Sequence, residues 1–432
     1  MINIGVLVRR FRNTFAFMVL AMTGIYEFYA NQVVFLTGGT GGLGGCLLYK
    51  LRFVLEVKKL YVLIRGPLSK ALERWRHTLP IHFHEIQDRI NSGKIILVPG
   101  DMTESNLGID KKVLEELERS VTLIIHAAAN ISFRAPLAKV VRDNCLPALR
   151  LAEMSTKFTK LENFTQVSTA FANSFLPDGP IEEKVYYLAN PDTAEAELDE
   201  IQHTGTTRYL QSFPWAYAYS KHLMERLMVA RYPSLPLLLL RPSSIGPAIA
   251  QPYEMYGPKG SCPVSTLYSR LMRPTGGQSV WHTSAEHPGA DNILDEIPVD
   301  LVANILIQHV YAGTHGVVHA SSSIYIPKTL KWFLEQPYKH VPVKWAEKMA
   351  TLIFDQDHEI QESREAQFYQ IGSRAWDFRT TASQHLEKLE GPLAFGIDGH
   401  NIDSFAKCRV GLLFKEVVGE ALHDYEKVLA KL

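Results

Sequence analysis

At 432 residues the chain can bury a large core, and its 45 basic and 45 acidic side chains balance to a formal charge of zero. With no net charge and no basic stripe interleaved with aromatics, the composition argues against a nucleic-acid binder. The four cysteines, Cys46, Cys145, Cys262 and Cys408, lie far apart without paired spacing. This argues against a disulfide scaffold or a cysteine zinc site and fits reduced cytosolic thiols. His77, His82 and His84 are joined by no carboxylate or cysteine that completes a ligand set at helical spacing, so no metal is expected.

Residues 1–26 carry Arg9, Arg10 and Arg12 ahead of the apolar run Phe15 to Met22 and contain no acid. The run is too short to cross a bilayer, which takes about 20 residues. It reads as an interfacial anchor, as a targeting segment, or as a helix packed on the domain. Next, Val33-Val34-Phe35-Leu36 runs straight into Thr37-Gly38-Gly39-Thr40-Gly41-Gly42-Leu43-Gly44. A buried strand that ends in closely spaced glycines and enters a helix is a phosphate-binding turn. Gly38, Gly41 and Gly44 permit a tight turn, close backbone approach to a pyrophosphate, and close contact of helix on strand. The helix is expected from Cys46 to Leu55, and Leu60 to Ile64 follows as a second buried strand, completing a βαβ unit.

The residue about 20 positions past such glycines sets the cofactor: an acid binds a ribose 2′-hydroxyl, an arginine accepts a 2′-phosphate. Here it is Arg65, so NADPH is expected over NADH; Lys70, Arg74 and Arg76 read as solvated helix charges. Further strands are expected at Lys94 to Val98, Val121 to Ile125, Phe164 to Val167 and Leu237 to Leu240, separated by helical stretches. Near-continuous apolar strands imply burial on both faces, hence a Rossmann-type, doubly wound parallel α/β sheet. From about residue 247, Pro252, Gly257, Pro258, Gly260, Pro263, Pro274, Gly276 and Gly277 mark a loop-rich insert up to about 295, where a substrate lid would sit. Its Tyr253, Met255, Tyr256, Leu267, Tyr268, Leu271, Met272 and Trp281 form a mostly apolar set that either takes an acyl chain or is plain core. After residue 325 the chain reads as a mostly helical C-terminal domain.

Two segments carry the expected chemistry: Val167-Ser168-Thr169-Ala170 at a strand end, and Tyr217-Ala218-Tyr219-Ser220-Lys221 on the next helix. Tyr217 and Lys221 are four apart and share a helical face. An ammonium beside a phenol favours phenolate and would draw the tyrosine pKa down from about 10, making Tyr217 a proton donor. Ser168 and Thr169 can each offer a hydroxyl to a substrate oxygen, Thr169 being the preferred catalytic residue.

In this order, Glu27-Phe28-Tyr29, the glycine turn, Leu63-Ile64-Arg65, Pro99-Gly100-Asp101, His126-Ala127-Ala128-Ala129, Val167 to Ala170, the Tyr217/Lys221 pair, Arg241 to Pro247 and Ile297-Pro298-Val299-Asp300 form a set. With it the chain resembles the extended short-chain dehydrogenase/reductases and, within them, the fatty acyl-CoA reductases, over roughly residues 25–310. A weaker likeness continues into Trp376-Asp377-Phe378 and Phe395 to Asp398. The resemblance implies that Gly38, Thr40, Gly41, Leu43 and Gly44 hold the pyrophosphate and Arg65 the 2′-phosphate. It puts Asp101 and Met102 at the adenine, and Ala127, Ala128 and Ala129 at the neighbouring ribose and phosphates. Lys221 would bind the nicotinamide ribose. Pro242, Ser243, Ser244 and Ile245 would line the nicotinamide pocket, and Thr169 with Tyr217 would polarise the substrate carbonyl.

The implied reaction is NADPH-dependent reduction of a long-chain fatty acyl-CoA to the alcohol through the aldehyde. The alternatives are another carbonyl substrate (a sterol, a nucleotide sugar, a carrier-bound thioester) or a non-catalytic nucleotide-binding protein. Departures from the family pattern are Gly42, where a bulky aromatic is usual, and an extra Gly45, which costs roughly 0.5–1 kcal/mol relative to alanine in a helix. Pro147 stands where glycine is common and is expected to break or restart the helix begun near Pro136. The chain ends without the apolar C-terminal anchor of many eukaryotic members, so membrane attachment would have to come from the N-terminus of a cytosol-facing protein.

Overall fold

The computed structural model describes residues 24–429 apart from 189–192, 358, 370, 387–388 and 397–398. The arginine-flanked run of the N-terminal segment thus lies outside the described residues, as do Ile397 and Asp398. Seven strands build the central sheet: β1 Val33–Thr37, β2 Lys59–Ile64, β3 Ile95–Pro99, β4 Leu123–His126, β5 Asn163–Val167, β6 Leu237–Pro242 and β7 Gly316–Ala320. All neighbours are parallel, in the order β7-β6-β5-β4-β1-β2-β3. The order reverses beside β1, so crossovers leave in opposite directions and a crevice opens at the carboxyl ends of the strands.

Strand periodicity assigns the two faces. Val33 and Phe35 join Tyr61, Ile124 and Phe164 in one apolar layer, whereas Val34 and Leu36 join Leu60, Val62 and Leu123 in the other. Burial on both faces is what a continuous apolar strand requires, and six strands coincide within a few residues with the apolar runs of the sequence. The sequence reading contains no β7. Gly316-Val317-Val318-His319-Ala320 follows directly on a turn and mixes two valines with a histidine, buried here against the Arg379 carbonyl at 2.8 Å.

The helix Ala216–Arg231 is buried continuously from Ala218 to Met228. Its polar side chains are therefore paired inside the protein. Arg241 of β6 donates from Nε to Glu225 at 2.9 Å. Arg226 donates to Glu197 at 2.9 Å, and the Tyr219 hydroxyl donates to the same carboxylate at 2.6 Å. Removing one partner of such a pair strands a buried charge at a cost of about 3–5 kcal/mol, so the helix cannot turn freely against the sheet. Pro147 acts as expected: a π-helical turn, Val141–Cys145, separates the short helix Leu137–Val140 from Leu146–Ser155, whose first turn holds the proline.

The region after 325 is mostly helical, with helices Leu330–His340, Val343–Ala346, Arg364–Phe368 and Ile402–Leu429. It also supplies two short strands. Thr351–Asp355 pairs with Gln278–His282 of the insert, and Trp376–Phe378 pairs with Gly179–Ile181. Arg409 of the last helix grips the buried Glu296 carboxylate with both terminal nitrogens, at 2.7 and 2.9 Å. Among the described residues no helix is long and apolar enough to cross a membrane.

Candidate active site

A cavity of about 450 Å³ lies over the carboxyl ends of the strands, and its lining runs from the glycine turn to the C-terminal region. At one end the chain leaves β1 through Gly38, whose φ is +76°. A Cβ on Gly38 would stand 2.6 Å from the Ala128 nitrogen, and one on Gly44 only 2.0 Å from the Gly38 carbonyl oxygen. Only glycine lets the helix Gly42–Tyr49 start this close to the strand. Gly41 is the cap residue, in extended backbone, and among the described residues no side chain caps the first N–H groups and no acid stands in the first turn, which leaves them to an anion in the cavity that Gly41 to Gly44 line. This cradle fits the pyrophosphate of a dinucleotide. Gly41, Leu43 and Gly44 line the cavity, Gly38 shapes the turn beneath them, and Thr40 sits at its bend.

Gly42 and Gly45 have a physical reason as well. A Cβ on Gly42 would meet Ser261 at 2.9 Å, and one on Gly45 would meet the Tyr256 hydroxyl at 2.2 Å. That hydroxyl donates to the Gly42 carbonyl at 3.0 Å. The insert thus presses on the glycine turn where a bulky aromatic would otherwise stand.

Arg65 and Asp101 follow paired strand ends, Ile64 being opposite Pro99. Arg65 is exposed and makes no ion pair among the described residues, while Asp101 accepts from the Thr103 nitrogen and hydroxyl at 2.9 and 2.7 Å. The Thr103 backbone bond, with smaller help from the Arg65 charge, holds the Asp101 carboxyl below its ordinary range. Met102 is adjacent, its carbonyl receiving Arg150 at 3.4 Å. These three residues share one strip outside the cavity lining. Ala127, Ala128 and Ala129 follow β4. The Thr37 hydroxyl ties them down, pairing with His126 Nδ1 at 2.6 Å and accepting from the Ala128 nitrogen at 3.3 Å.

Thr169, Tyr217 and Lys221 line the same cavity, with Ser168 and the four residues Pro242, Ser243, Ser244 and Ile245. The Lys221 ammonium donates to the Val167 carbonyl at 2.8 Å, and burial draws its pKa down to about 8. The Tyr217 hydroxyl has no hydrogen-bond partner among the described residues, and burial pushes its pKa up. The lowering expected from Lys221 is absent: desolvation of the phenolate sets the direction, and the ammonium is held by a carbonyl instead. The Tyr217 phenol is accordingly protonated near neutral pH. Thr169 accepts from the Phe171 nitrogen at 3.3 Å, whereas the buried Ser168 hydroxyl has no partner among the described residues.

The far wall was not visible in sequence. Phe133 stacks on Trp215 with ring centroids 4.0 Å apart and planes 8° from parallel, and Phe133 also meets Phe368 at 5.5 Å. Tyr369 and Ile371 continue this wall, so the C-terminal region, in which the sequence showed no chemistry, closes the cavity. Of the apolar insert residues, only Tyr256 lines the cavity. Leu267, Tyr268, Leu271, Met272 and Trp281 are core, and the Tyr253 hydroxyl donates to Thr78. An aromatic in an insert carries no sign of the side on which it will pack. Phe213-Pro214-Trp215, just ahead of the helix Ala216–Arg231, is the one local signal that could have marked the wall.

Residues 36–306 match the family model described as "Male sterility protein", an NAD-binding family. Among similar proteins, "Fatty acyl-CoA reductase 1" of Gallus gallus is 29% identical over 303 residues, covering 66% of this chain and 56% of that protein. "Fatty acyl-CoA reductase 2" of Mus musculus is 29% identical over 329 residues, covering 71% and 59%. The chain thus spans less than two thirds of the length of these relatives. Among solved structures, the terminal R domain of the myxalamid biosynthetic pathway superposes with a TM-score of 0.64 at 20% identity, covering 90% of this chain and 91% of that one. A reductase domain of a nonribosomal peptide synthetase from Mycobacterium tuberculosis gives 0.61 at 18% identity, covering 90% and 92%. At such identities the superpositions show a shared fold.

Proposed function

Because the chain belongs to the Male sterility protein family of fatty acyl-CoA reductase-like extended short-chain dehydrogenase/reductases, we propose that it reduces a long-chain acyl-CoA thioester with NADPH. The observation that carries this reading is the convergence of Thr169, Tyr217 and Lys221 with the glycine turn on one cavity whose far wall is aromatic. The rings of Phe133, Trp215 and Phe368 offer mostly apolar surface, which suits the uncharged chain and arm of a thioester better than the hydroxyls of a sugar.

In the proposed assignment Gly38, Thr40, Gly41, Leu43 and Gly44 hold the pyrophosphate, Arg65 the 2′-phosphate, and Asp101 and Met102 the adenine. Ala127, Ala128 and Ala129 flank the adjacent ribose and phosphates, and Pro242 to Ile245 enclose the nicotinamide. When bound, NADPH supplies a hydride. Thr169 and Tyr217 orient the thioester carbonyl, and Tyr217 protonates its oxygen as the carbon is reduced. The hemithioacetal would collapse to aldehyde and CoA thiol, its hydroxyl proton passing to the departing sulfur, and a hydride from a second NADPH with a proton through Tyr217 would give the alcohol. Lys221, held at the Val167 carbonyl, would bind the nicotinamide ribose. A positioned proton donor of this kind contributes about 10²–10⁴ in rate.

Incubating the purified protein with NADPH and a panel of acyl-CoAs, with products identified by mass, tests the reading. NADPH consumption with appearance of fatty alcohol is expected. No NADPH oxidation with any acyl-CoA overturns it.

A further inference from the structure

We propose that Arg134 and Arg270, one on each approach to the Phe368 ring, bind the phosphate that ends the pantetheine arm of the thioester substrate. The inference rests on the thioester reading above and adds the group that recognises the carrier. Both arginines line the cavity. The Arg270 guanidinium carbon stands 4.5 Å from the Phe368 centroid and that of Arg134 stands 5.7 Å away. Neither forms an ion pair among the described residues: Arg270 is partly buried, where Arg226, Arg374 and Arg409 each hold a carboxylate, and Arg134 is exposed. Stacking on an aromatic face orients a guanidinium while leaving its N–H edge free, the arrangement suited to a phosphate.

The cofactor does not account for this pair of charges. In the proposed assignment its anionic groups are taken up by the glycine turn and Arg65, so neither arginine is assigned to them. A path of rings leads from the reacting end to the arginines: Tyr217 to Phe133 is 6.1 Å between centroids, and Phe133 to Phe368 is 5.5 Å. Along a thioester substrate the acyl chain, the carbonyl and the pantetheine amides are all uncharged. The first anion met on moving away from the sulfur is the phosphate at the end of the arm. Coenzyme A and a phosphopantetheinylated carrier protein share that phosphate, so the same pair would read either.

The test is direct binding by calorimetry with the cofactor site filled by excess NADP⁺. Coenzyme A, 4′-phosphopantetheine and phosphate-free pantetheine are titrated into the full chain and into its Arg134→Ala/Arg270→Ala variant, with Arg270→Lys as the conservative control. Both phosphate-bearing ligands are expected to bind at least about tenfold more tightly than pantetheine, the worth of one charge-assisted hydrogen bond or more. The double variant should lose that advantage, and Arg270→Lys should keep part of it. Equal binding of the three ligands, or an unchanged ratio in a variant that still binds NADP⁺, overturns the proposal. An advantage for coenzyme A alone assigns the pair to its nucleotide and also overturns it. Because these titrations need no turnover, failure of every acyl-CoA to be reduced would count against the proposed reaction separately.

Discussion

At the glycine-turn end of the cavity the surface is backbone: Gly41, Gly44 and the free N–H groups of one helix, all within eight residues of β1. At the Phe368 end it is side chains, brought together from positions 133, 215 and 368 by three separate elements. A backbone surface needs a particular sequence, since only glycine tolerates the approach distances. A side-chain wall needs only bulk in roughly the right place, and many sequences supply it. The first kind of site therefore resists substitution and the second adapts, a contrast that four experiments can break or sharpen.

The largest effect is expected between the two ends, at the proposed proton donor. Tyr217→Phe keeps the ring against Phe133 and removes the proton, so turnover of an acyl-CoA should fall by about 10² or more while NADPH binding, followed by fluorescence, persists. Near-normal turnover would show that the mechanism is wrong even with the fold intact. Lys221→Ala should weaken both rate and binding.

Next come the glycines. Gly44→Ala drives a Cβ into the Gly38 backbone and should cost about 3 kcal/mol or more in urea unfolding. Gly45→Ala meets only the Tyr256 hydroxyl, with the Cζ carbon behind it at 3.4 Å, and should cost about 1 kcal/mol. Tyr256→Phe should rescue Gly45→Ala and do nothing for Gly44→Ala; rescue of both, or of neither, would break the distinction between backbone and side-chain contact.

Arg65 is a side chain at the backbone end, and its loss should be selective. Arg65→Ala is expected to weaken NADPH binding by about 1.5–3 kcal/mol, the range of a charge-assisted hydrogen bond, and to leave NADH almost untouched. Equal losses for both cofactors would give the residue another role.

The smallest effect per unit concerns pH. Burial pushes His126, His222 and His319 down to about 3 and His309 to about 4. Below about pH 6.5 the unfolded chain takes up protons that the folded chain refuses, so stability is lost as pH falls. Asp295, raised by burial to about 6, and Glu183, also raised, oppose this by binding protons first in the folded state. With four histidines against two carboxyls, a net loss of about 1.4 kcal/mol per pH unit or more is expected in urea midpoints between pH 6.5 and 5.5. Stability that held or rose over that interval would refute the balance.

The parallel sheet and the glycine turn were legible in sequence because their causes are local: apolar runs buried on both faces, and spacing that only a tight turn explains. The placing of Tyr217 and Lys221 on one helical face was local too. What they face was not. No local pattern marked that Lys221 would rest on the Val167 carbonyl, or that desolvation would keep the phenol protonated, because both depend on what surrounds them after folding. The insert aromatics were ambiguous for the same reason, and packing sent all but Tyr256 of those named above away from the cavity. Residues 36–64 thus determined their own turn and strand by backbone sterics, whereas the union of Phe133, Trp215 and Phe368 was decided only in the tertiary structure, since contacts between distant segments depend on how whole elements pack rather than on any local pattern.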